Sequence, residues 1–241
     1  MTVRLSLTVL GGLLLAILIA YGAFELTDIA SRHSFEVTTG YGGVQSLEVD
    51  GGTGDVHLTA GAPGSEVLVV EHVTEGLSAP DRKAVRGAGG ALRLSASCSV
   101  TIGNNCGVSY TIRVPPGVAV NARSGGGDVD ARGLNTTAPL KLSSGDGDVN
   151  ALDISAGNVT LDSGNGDVTA TLERAPTRLD ASSGNGDVTL TVPNTTYAVR
   201  ATSGNGTVSD STMRIDPSSP RSITASSGNG DVTIQAAAGT Q

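Results

Sequence analysis

The chain has 241 residues, of which 34 are Gly, and it contains no Trp, two Phe and four Tyr. Large aromatic side chains usually fill thick globular cores, so this composition favours thin, regularly stacked layers built from Val, Leu, Ile and Ala. The formal net charge is −8 and no basic run occurs, which argues against nucleic acid as a partner.

The first element is an apolar run at 5–24 that contains no charged residue. A helix of this length covers roughly 30 Å, the thickness of the hydrocarbon core of a bilayer. Arg4 precedes the run and two acidic residues follow it, an asymmetry that keeps the N-terminus in the cytoplasm. The sequence therefore predicts a cytoplasmic N-terminus at 1–4, a transmembrane helix at 5–24 and a juxtamembrane linker at 25–39.

A cleaved signal peptide is the alternative for this segment. Ala20-Tyr21-Gly22 has the small-x-small form that signal peptidase accepts, and cleavage there would give a secreted chain that begins near Ala23. The apolar run is longer than the core of a typical signal peptide, which favours the uncleaved anchor. Both interpretations place the rest of the chain outside the cytoplasm.

Two cysteines, Cys98 and Cys106, flank an Asn-Asn pair. A closely spaced pair in an exported protein is typical of a disulfide, and the bond is reachable if the flanking segments fold back as a β-hairpin. No CxxC motif or neighbouring His completes a zinc site, and two free thiols are the alternative. We expect one structural disulfide.

One phrase, Gly-x-Gly-Asp-Val, recurs along the chain. It stands at 52–56, 125–129, 145–149, 164–168, 184–188 and 228–232, and as Gly-Asn-Gly-Thr-Val at 204–208. From 128 onward its fourth position steps by 20, 19, 20, 20 and 24 residues. The last step contains the insertion 213–220, whose two prolines indicate a surface loop. Such regular spacing is typical of a repeat protein.

Apolar residues alternate on both sides of each phrase, as in Leu140 and Leu142 before it and Val149 and Ala151 after it. A period of two indicates two short strands per repeat. The Asn-Gly or Asp-Gly between them has the chemistry of a tight turn that tolerates positive φ. A unit this small cannot bury its apolar face alone, so neighbouring units must stack.

These patterns predict an all-β fold in which repeats of about twenty residues stack as a β-solenoid. An antiparallel β-sandwich of hairpins is the alternative, because Asn-Gly is also a hairpin signal. The domain is predicted at 40–236, with regular repeats at 121–236 and a tail at 237–241. The portion 40–120 has strands at SLEVD, EVLVVEHV, ALRLSAS and VSYTIRVP and is expected to form an irregular cap.

The membrane segment, the stretch VPPGVAVNARSGGGDV at 114–129 and the serial SGNGDV turns resemble the bacterial Toastrack-type domain, a domain of unknown function also named as a candidate adhesin. The resemblance covers about residues 40–236. It implies a single-pass anchored, right-handed β-helix-like extracytoplasmic domain and no functional residue to carry over. This sequence departs from the pattern at Thr207 and in the insertion 213–220.

The repeated Asp residues are the first candidates for chemistry, because stacking would place them in a column. They are Asp55, Asp128, Asp148, Asp167, Asp187 and Asp231. At a strand spacing of about 4.8 Å, two carboxylates in water repel by about 0.9 kcal/mol, which a bond from a turn N–H can offset. We predict a structural turn role with no metal and no cofactor. The alternative is a Ca²⁺ ladder like that of GGxGxD repeats, although the spacing differs.

No catalytic motif is found in the sequence. His33, His57 and His72 have no partner constellation in the sequence, and no G-x-S-x-G, H-E-x-x-H or P-loop phrase occurs. We expect a non-enzymatic surface binding module, adhesin-like or scaffold, whose partner is a protein or an envelope polymer. The alternative is an envelope sensor or accessory factor that works through a membrane partner. A wall-polysaccharide hydrolase that uses two column carboxylates is a third hypothesis.

Overall fold

The computed structural model describes residues 15, 18, 32–76, 78–98 and 106–237. Within these residues there is no helix with the length and apolar character needed to cross a membrane. The predicted transmembrane segment 5–24 lies outside the described residues except at positions 15 and 18. It therefore stays a prediction.

Apart from positions 15 and 18 and a single 3₁₀ turn at Ala88–Gly90, the described chain consists of strands and loops. The first ten strands are β1 (His33–Tyr41), β2 (Ser46–Asp50), β3 (Val56–Ala60), β4 (Val67–Glu75), β5 (Asp81–Arg86), β6 (Ala91–Ser97), β7 (Gly107–Val114), β8 (Ala119–Ser124), β9 (Val129–Arg132) and β10 (Asn135–Thr136). The others are β11 (Leu140–Ser144), β12 (Val149–Ala156), β13 (Asn158–Ser163), β14 (Val168–Leu172), β15 (Arg178–Asn185), β16 (Val188–Val192), β17 (Thr196–Asn205), β18 (Val208–Ser209), β19 (Arg214–Ile215), β20 (Ser222–Asn229) and β21 (Val232–Ala236).

These strands form two sheets. Sheet I has the order β1-β4-β7-β3-β9-β12-β14-β16-β21-β18, with β10 beside β12. Sheet II has the order β19-β17-β20-β15-β13-β11-β8-β2-β6-β5. A strand of sheet II leads through a short connection into a strand of sheet I, and we call each such pair of strands a rung.

Neighbouring rungs pair in parallel and in register. Val149 on β12 pairs with Val129 on β9 and with Val168 on β14. In sheet II the same register joins Leu142 to Leu161. The prediction of an all-β stack is confirmed, and the repeats are not the hairpins of an antiparallel sandwich. Within the described residues, antiparallel pairing joins β1 to β4, β4 to β7 and β5 to β6.

The core lies between the two sheets as ladders of aliphatic side chains. One column of sheet I is fully buried at Val56, Val129, Val149, Val168, Val188 and Val232. Burial of each such side chain contributes about 1.5–3 kcal/mol. Alanines such as Ala122 and Ala151 occupy other inward positions, so the interior stays thin, and Tyr110 and Tyr197 are the aromatic residues buried in the described core.

The order of the rungs along the stack differs from their order in the sequence. Rung β6/β7 lies outside rung β2/β3, which pairs on its other side with β8/β9. At the other end, rung β20/β21 is inserted between β15/β16 and β17/β18. Sequence neighbours therefore stack from β8/β9 to β15/β16, and the rungs at both ends are interleaved.

The portion 40–120 contributes two rungs, β2/β3 and β6/β7, and the closing strands β4 and β5, while the closing strand β1 begins at His33, within the segment 25–39 that was predicted as a linker. β1 and β5 are the edge strands of their sheets. Arg82 on β5 lies over the ring of Phe35 on β1, 5.7 Å from its centre, and forms a 2.7 Å ion pair with Glu71. Charged side chains on edge strands oppose edge-to-edge aggregation, which fits the role of these strands as a cap.

The predicted disulfide is confirmed, since Cys98 and Cys106 are bonded with their Cα atoms 5.9 Å apart. The expected hairpin around it is not formed, because β6 and β7 belong to different sheets. The bond therefore joins the two sheets within a rung that lacks the Gly-x-Gly-Asp-Val phrase. A covalent link takes the place of the Gly-rich turn at this level of the stack.

Tyr110 and Tyr197 are both fully buried and differ in how their hydroxyls are satisfied. Tyr197 donates to the Pro193 carbonyl at 3.1 Å. The Tyr110 hydroxyl has no hydrogen-bond partner, the one such buried side-chain atom in the described part of the chain. Burial raises the pKa of Tyr110, and the nearby Glu71 carboxylate raises it further.

Replacement of Tyr110 by Phe removes a buried hydroxyl with unmet hydrogen-bonding capacity, so we expect the free energy of unfolding to rise by about 1 kcal/mol. The matched variant Tyr197→Phe loses a hydrogen bond that is made in the fold, so its free energy of unfolding should fall by about 1 kcal/mol. Urea denaturation of both variants measures the difference. A loss of stability in Tyr110→Phe equal to that in Tyr197→Phe would contradict this account.

Candidate functional site

The Gly-rich turns lie above one another along one edge of the stack, and we call this edge the turn ridge. Its segments are 51–55, 124–128, 144–148, 163–167, 183–187, 203–207 and 227–231. They come together because the strands on both sides of each turn pair in parallel register. All six Asp residues predicted from the repeat lie on this ridge.

Each ridge Asp accepts a hydrogen bond from the backbone of the next rung. Oδ1 of Asp148 accepts the N–H of Asp167, and Oδ1 of Asp167 accepts the N–H of Asp187, both at 2.8 Å. The same bond joins Asp128 N–H to Asp55 (3.0 Å), Asp148 N–H to Asp128 (2.8 Å) and Asp231 N–H to Asp187 (2.7 Å). We call this series the carboxylate ladder.

A second series of bonds runs in the opposite direction along the ridge. The N–H of Val149 donates to the carbonyl of Asp167 at 2.9 Å, and the N–H of Val168 donates to the carbonyl of Asp187 at 2.8 Å. These two series therefore add a charge-assisted bond and a backbone bond to each contact between turns, and charge-assisted bonds are the stronger kind.

Hydroxyl residues stand at both ends of the carboxylate ladder. Thr207 belongs to the terminal rung, and its N–H donates to Oδ1 of Asp231 at 2.7 Å. This backbone bond, with a further bond from the Thr207 hydroxyl, lowers the pKa of Asp231. Among the described strands, no later rung presents an N–H to Thr207, so a carboxylate is not required there. At the other end, Oγ of Ser109 accepts the N–H of Asp55 at 3.2 Å.

The ridge serines are structural as well. Oγ of Ser144 donates to the Gly127 carbonyl of the preceding rung at 2.8 Å and accepts the N–H of Gly147 at 2.9 Å. The same pair of bonds is made by Ser124 and Ser163. These serines are buried. A hydroxyl held in this way satisfies two backbone groups and is not presented to a substrate as a nucleophile.

Most of the turn glycines are required by close approach and not by positive φ; in the ridge segment 51–55, Gly52 has a φ of 60°. A Cβ added to Gly147 would lie 2.5 Å from the carbonyl oxygen of Gly127, which is closer than real Cβ contacts. Within 124–231 the ridge has one residue in the left-handed region, Gly230. The expectation of a positive-φ Asn-Gly turn is wrong, because the phrase connects two sheets and does not close a hairpin.

An exposed amide ladder runs beside the carboxylates and was not predicted from the sequence. Nδ2 of Asn185 donates to Oδ1 of Asn165 at 2.8 Å, and Nδ2 of Asn229 donates to Oδ1 of Asn185 at 2.6 Å. Asn205 continues the series by donating to Asn229 at 2.7 Å. The sequence signal for this ladder is the repeated Asn between the two glycines, a residue that is also typical of turns.

Two histidines lie on the outer face of sheet I. His57 Nδ1 is 2.9 Å from Oδ2 of Asp130. His72 Nδ1 is 3.0 Å from Glu36 Oε1, and its Nε2 is 3.4 Å from Thr111 Oγ1. The second group has the order carboxylate, imidazole, hydroxyl, but the side chains of His72 and Glu36 are 46% and 65% exposed. These are cross-strand contacts on an open face, with no enclosure for a substrate.

His33 is exposed at the start of β1. In the described ranges, no three His, Cys, Asp or Glu side chains come together as a metal-binding group. Because Oδ1 of each ladder Asp already accepts an N–H, part of its capacity as an acceptor is used within the fold, whereas Ca²⁺ requires six to eight oxygen ligands. The ridge geometry therefore favours the structural role over the Ca²⁺ ladder.

The fold and ridge define a solenoid-like β-repeat protein in which turns, not side-chain pockets, are the repeated feature. The chain belongs to the Toastrack DUF4097 family, whose sequence model matches residues 20–239. Comparison with curated proteins gives no match.

The solved structures that are similar to this chain include the following two. One is a candidate cell adhesion protein from Clostridium sporogenes ATCC 15579, with 15% identity, 85% of this chain and 100% of that chain covered, and a TM-score of 0.48. The other is a candidate adhesin from Bacteroides fragilis NCTC 9343, with 18% identity, 85% and 97% covered, and a TM-score of 0.47.

The adjacent residues Ser143 and Ser144 offer a matched test of the ridge. Ser144→Ala leaves a partly buried carbonyl and a partly buried N–H without partners, so we expect the free energy of unfolding to fall by about 1–3 kcal/mol. Ser143 is only partly buried, and Ser143→Ala should change the free energy of unfolding by less than about 0.5 kcal/mol. Thermal or urea unfolding measures both, and equal effects of the two variants would refute the serine role.

Asp187 separates the structural role from calcium binding. Asp187→Asn keeps an oxygen that can accept the N–H of Asp231, whereas Asp187→Ala removes it, so we expect only the Ala variant to lose about 1 kcal/mol. Added Ca²⁺ should leave the melting temperature of the wild-type protein unchanged. A calcium-dependent rise that both variants abolish would show instead that the ladder binds the ion.

Proposed function

We propose that the chain is a membrane-anchored, extracytoplasmic binding module, adhesin-like or scaffold, without enzymatic activity. The observation that carries this proposal is the use of the ridge Ser and Asp groups in bonds between rungs. Groups that resemble nucleophiles and acids in the sequence already hold the fold together. What remains for a partner is a long, repetitive polar surface, which solenoids use to bind polymers and proteins.

The outer face of sheet I supports a polymeric partner. Thr169, Thr189 and Thr233 are in register on adjacent strands, so their side chains repeat at about 4.8 Å. Thr191 lies on the same face, and its Oγ1 accepts a bond from Gln235 Nε2 at 3.0 Å. We call this set the threonine face. A flat row of hydroxyl groups at a fixed interval suits an envelope polymer or an extended protein segment that repeats its own polar groups.

Export and anchoring are part of the proposal. The Cys98–Cys106 disulfide is the kind of bond that persists in an oxidising compartment, and the apolar run 5–24 has the length of a membrane span. We also propose that the coil is right-handed, as parallel strand connections almost always are. Nucleic acid is not proposed as a partner, because the net charge is −8.

A second candidate function is an envelope sensor or accessory factor that works through a membrane partner. The predicted anchor favours it, because a free adhesin would need no membrane helix. The two proposals differ in the part of the chain that selects the partner, which is the threonine face for the binding module and the membrane segment for the sensor.

Crosslinking of the full-length chain in intact cells tests the binding module. Thr189→Arg places a bulky cation on the threonine face and should abolish partner capture. The matched variant Thr224→Arg, on the outer face of sheet II, should leave capture intact. Exchange of residues 5–24 for an unrelated membrane helix should also leave it intact. Loss of capture only after this exchange would favour the sensor. Release of sugars from purified envelope would contradict the non-enzymatic role.

A further inference from the structure

A groove of about 540 Å³ crosses the outer face of sheet II near the capped end of the stack. It runs over β5, β6, β2, β8 and β11, which are neighbours in that order. Five neighbouring strands span roughly 19 Å at the usual spacing. The groove therefore follows the axis of the stack, and its volume is in the range of small-molecule sites.

The floor of the groove is apolar. Ala91 and Ala119 lie on either side of Ser46 in register, and Val85 and Pro139 line the two ends. The atoms exposed in the groove are mostly apolar. Val85 is 55% exposed, which leaves an uncovered aliphatic side chain at the β5 end.

One wall carries a row of polar side chains that ends in a cation. Arg93, Glu48, Asn121 and Lys141 follow one another in register across β6, β2, β8 and β11. Arg93 and Glu48 form a 2.9 Å ion pair and neutralise each other. Lys141 has no ion pair or hydrogen bond within the described residues, and its register neighbours Asn121 and Thr160 are uncharged.

The groove thus has the exposed aliphatic side chain of Val85 beside the neutralised Arg93–Glu48 pair at one end, and the positive charge of Lys141 without an ionic partner at the other, in a chain of net charge −8. We propose that it binds a free long-chain carboxylate of the fatty-acid class, with the carboxylate at Lys141 and the aliphatic tail directed towards Val85. A single ammonium matches one monovalent carboxylate, whereas a phosphate head group would call for several donors. This proposal does not rest on the adhesin-like role.

Photo-crosslinking in lipid nanodiscs tests the groove with the full-length chain. The probe is palmitate with a diazirine near the end of its tail, and labelled peptides are identified by mass spectrometry. We expect label on β5 and on the 86–91 segment that follows it. Excess unlabelled palmitate should remove the label, and palmityl alcohol, which lacks the carboxylate, should not. Equal competition by the alcohol, or stronger competition by a palmitoyl lysophospholipid, would overturn the proposal.

Variants make the test specific to the groove. Lys141→Met keeps the length of the side chain and removes its charge, and it should lower labelling at least fivefold. Lys83 is the other lysine of the chain and pairs with Asp81 outside the groove, so Lys83→Met should label as the wild type does. Ala119→Phe fills the floor and should abolish labelling although Lys141 remains. Unchanged labelling of Lys141→Met and Ala119→Phe, with melting temperatures like the wild type, would refute the site.

Discussion

Close stacking of the turns is the constraint on which the rest of the structure depends. Parallel strands satisfy their own backbone groups, but the turn between two sheets also presents an N–H towards the preceding rung. The carboxylate of the preceding Asp accepts that N–H, as Asp148 does for Asp167. Glycine is needed beside it because a Cβ at Gly147 would meet the carbonyl of Gly127. The phrase Gly-x-Gly-Asp therefore holds neighbouring rungs together.

The carboxylate ladder also accounts for the order of the rungs. The carboxylate ladder has a direction, since each carboxylate accepts an N–H only from the following rung. Asp is therefore the favoured residue in any rung that is followed by another. Thr207 fits the terminal position, where it donates to Asp231 and no further N–H follows. If the rungs were stacked in sequence order, the rung of Asp231 would follow that of Thr207. The N–H of Asp231 would then meet the neutral side chain of Thr207 in place of a carboxylate, and that bond would be weaker. Because β20/β21 lies before β17/β18 in the stack, every carboxylate of the ladder accepts an N–H.

Much of the fold could be predicted from the sequence, because the alternation of residues such as Leu140 and Leu142 sets the strands, and the repeat spacing sets the stacking. The rung order could not be predicted from the core columns, since Val208 and Val232 would suit the same position. Thr207 is the signal that the sequence offers, because it replaces the ridge Asp in one of the repeated phrases. The groove at Lys141 could not be anticipated, because it needs β2, β5 and β6 to lie beside β8.

Engineered disulfides test the rung order most directly. Asn185→Cys with Asn229→Cys places two thiols on adjacent parallel strands about 4.8 Å apart, within reach of a disulfide. Asn185→Cys with Asn205→Cys places them two strands apart, at roughly 9.6 Å, which is out of reach. The account predicts rapid oxidation of the first pair in the folded chain and none of the second. Efficient bonding of the second pair, with none of the first, would contradict it.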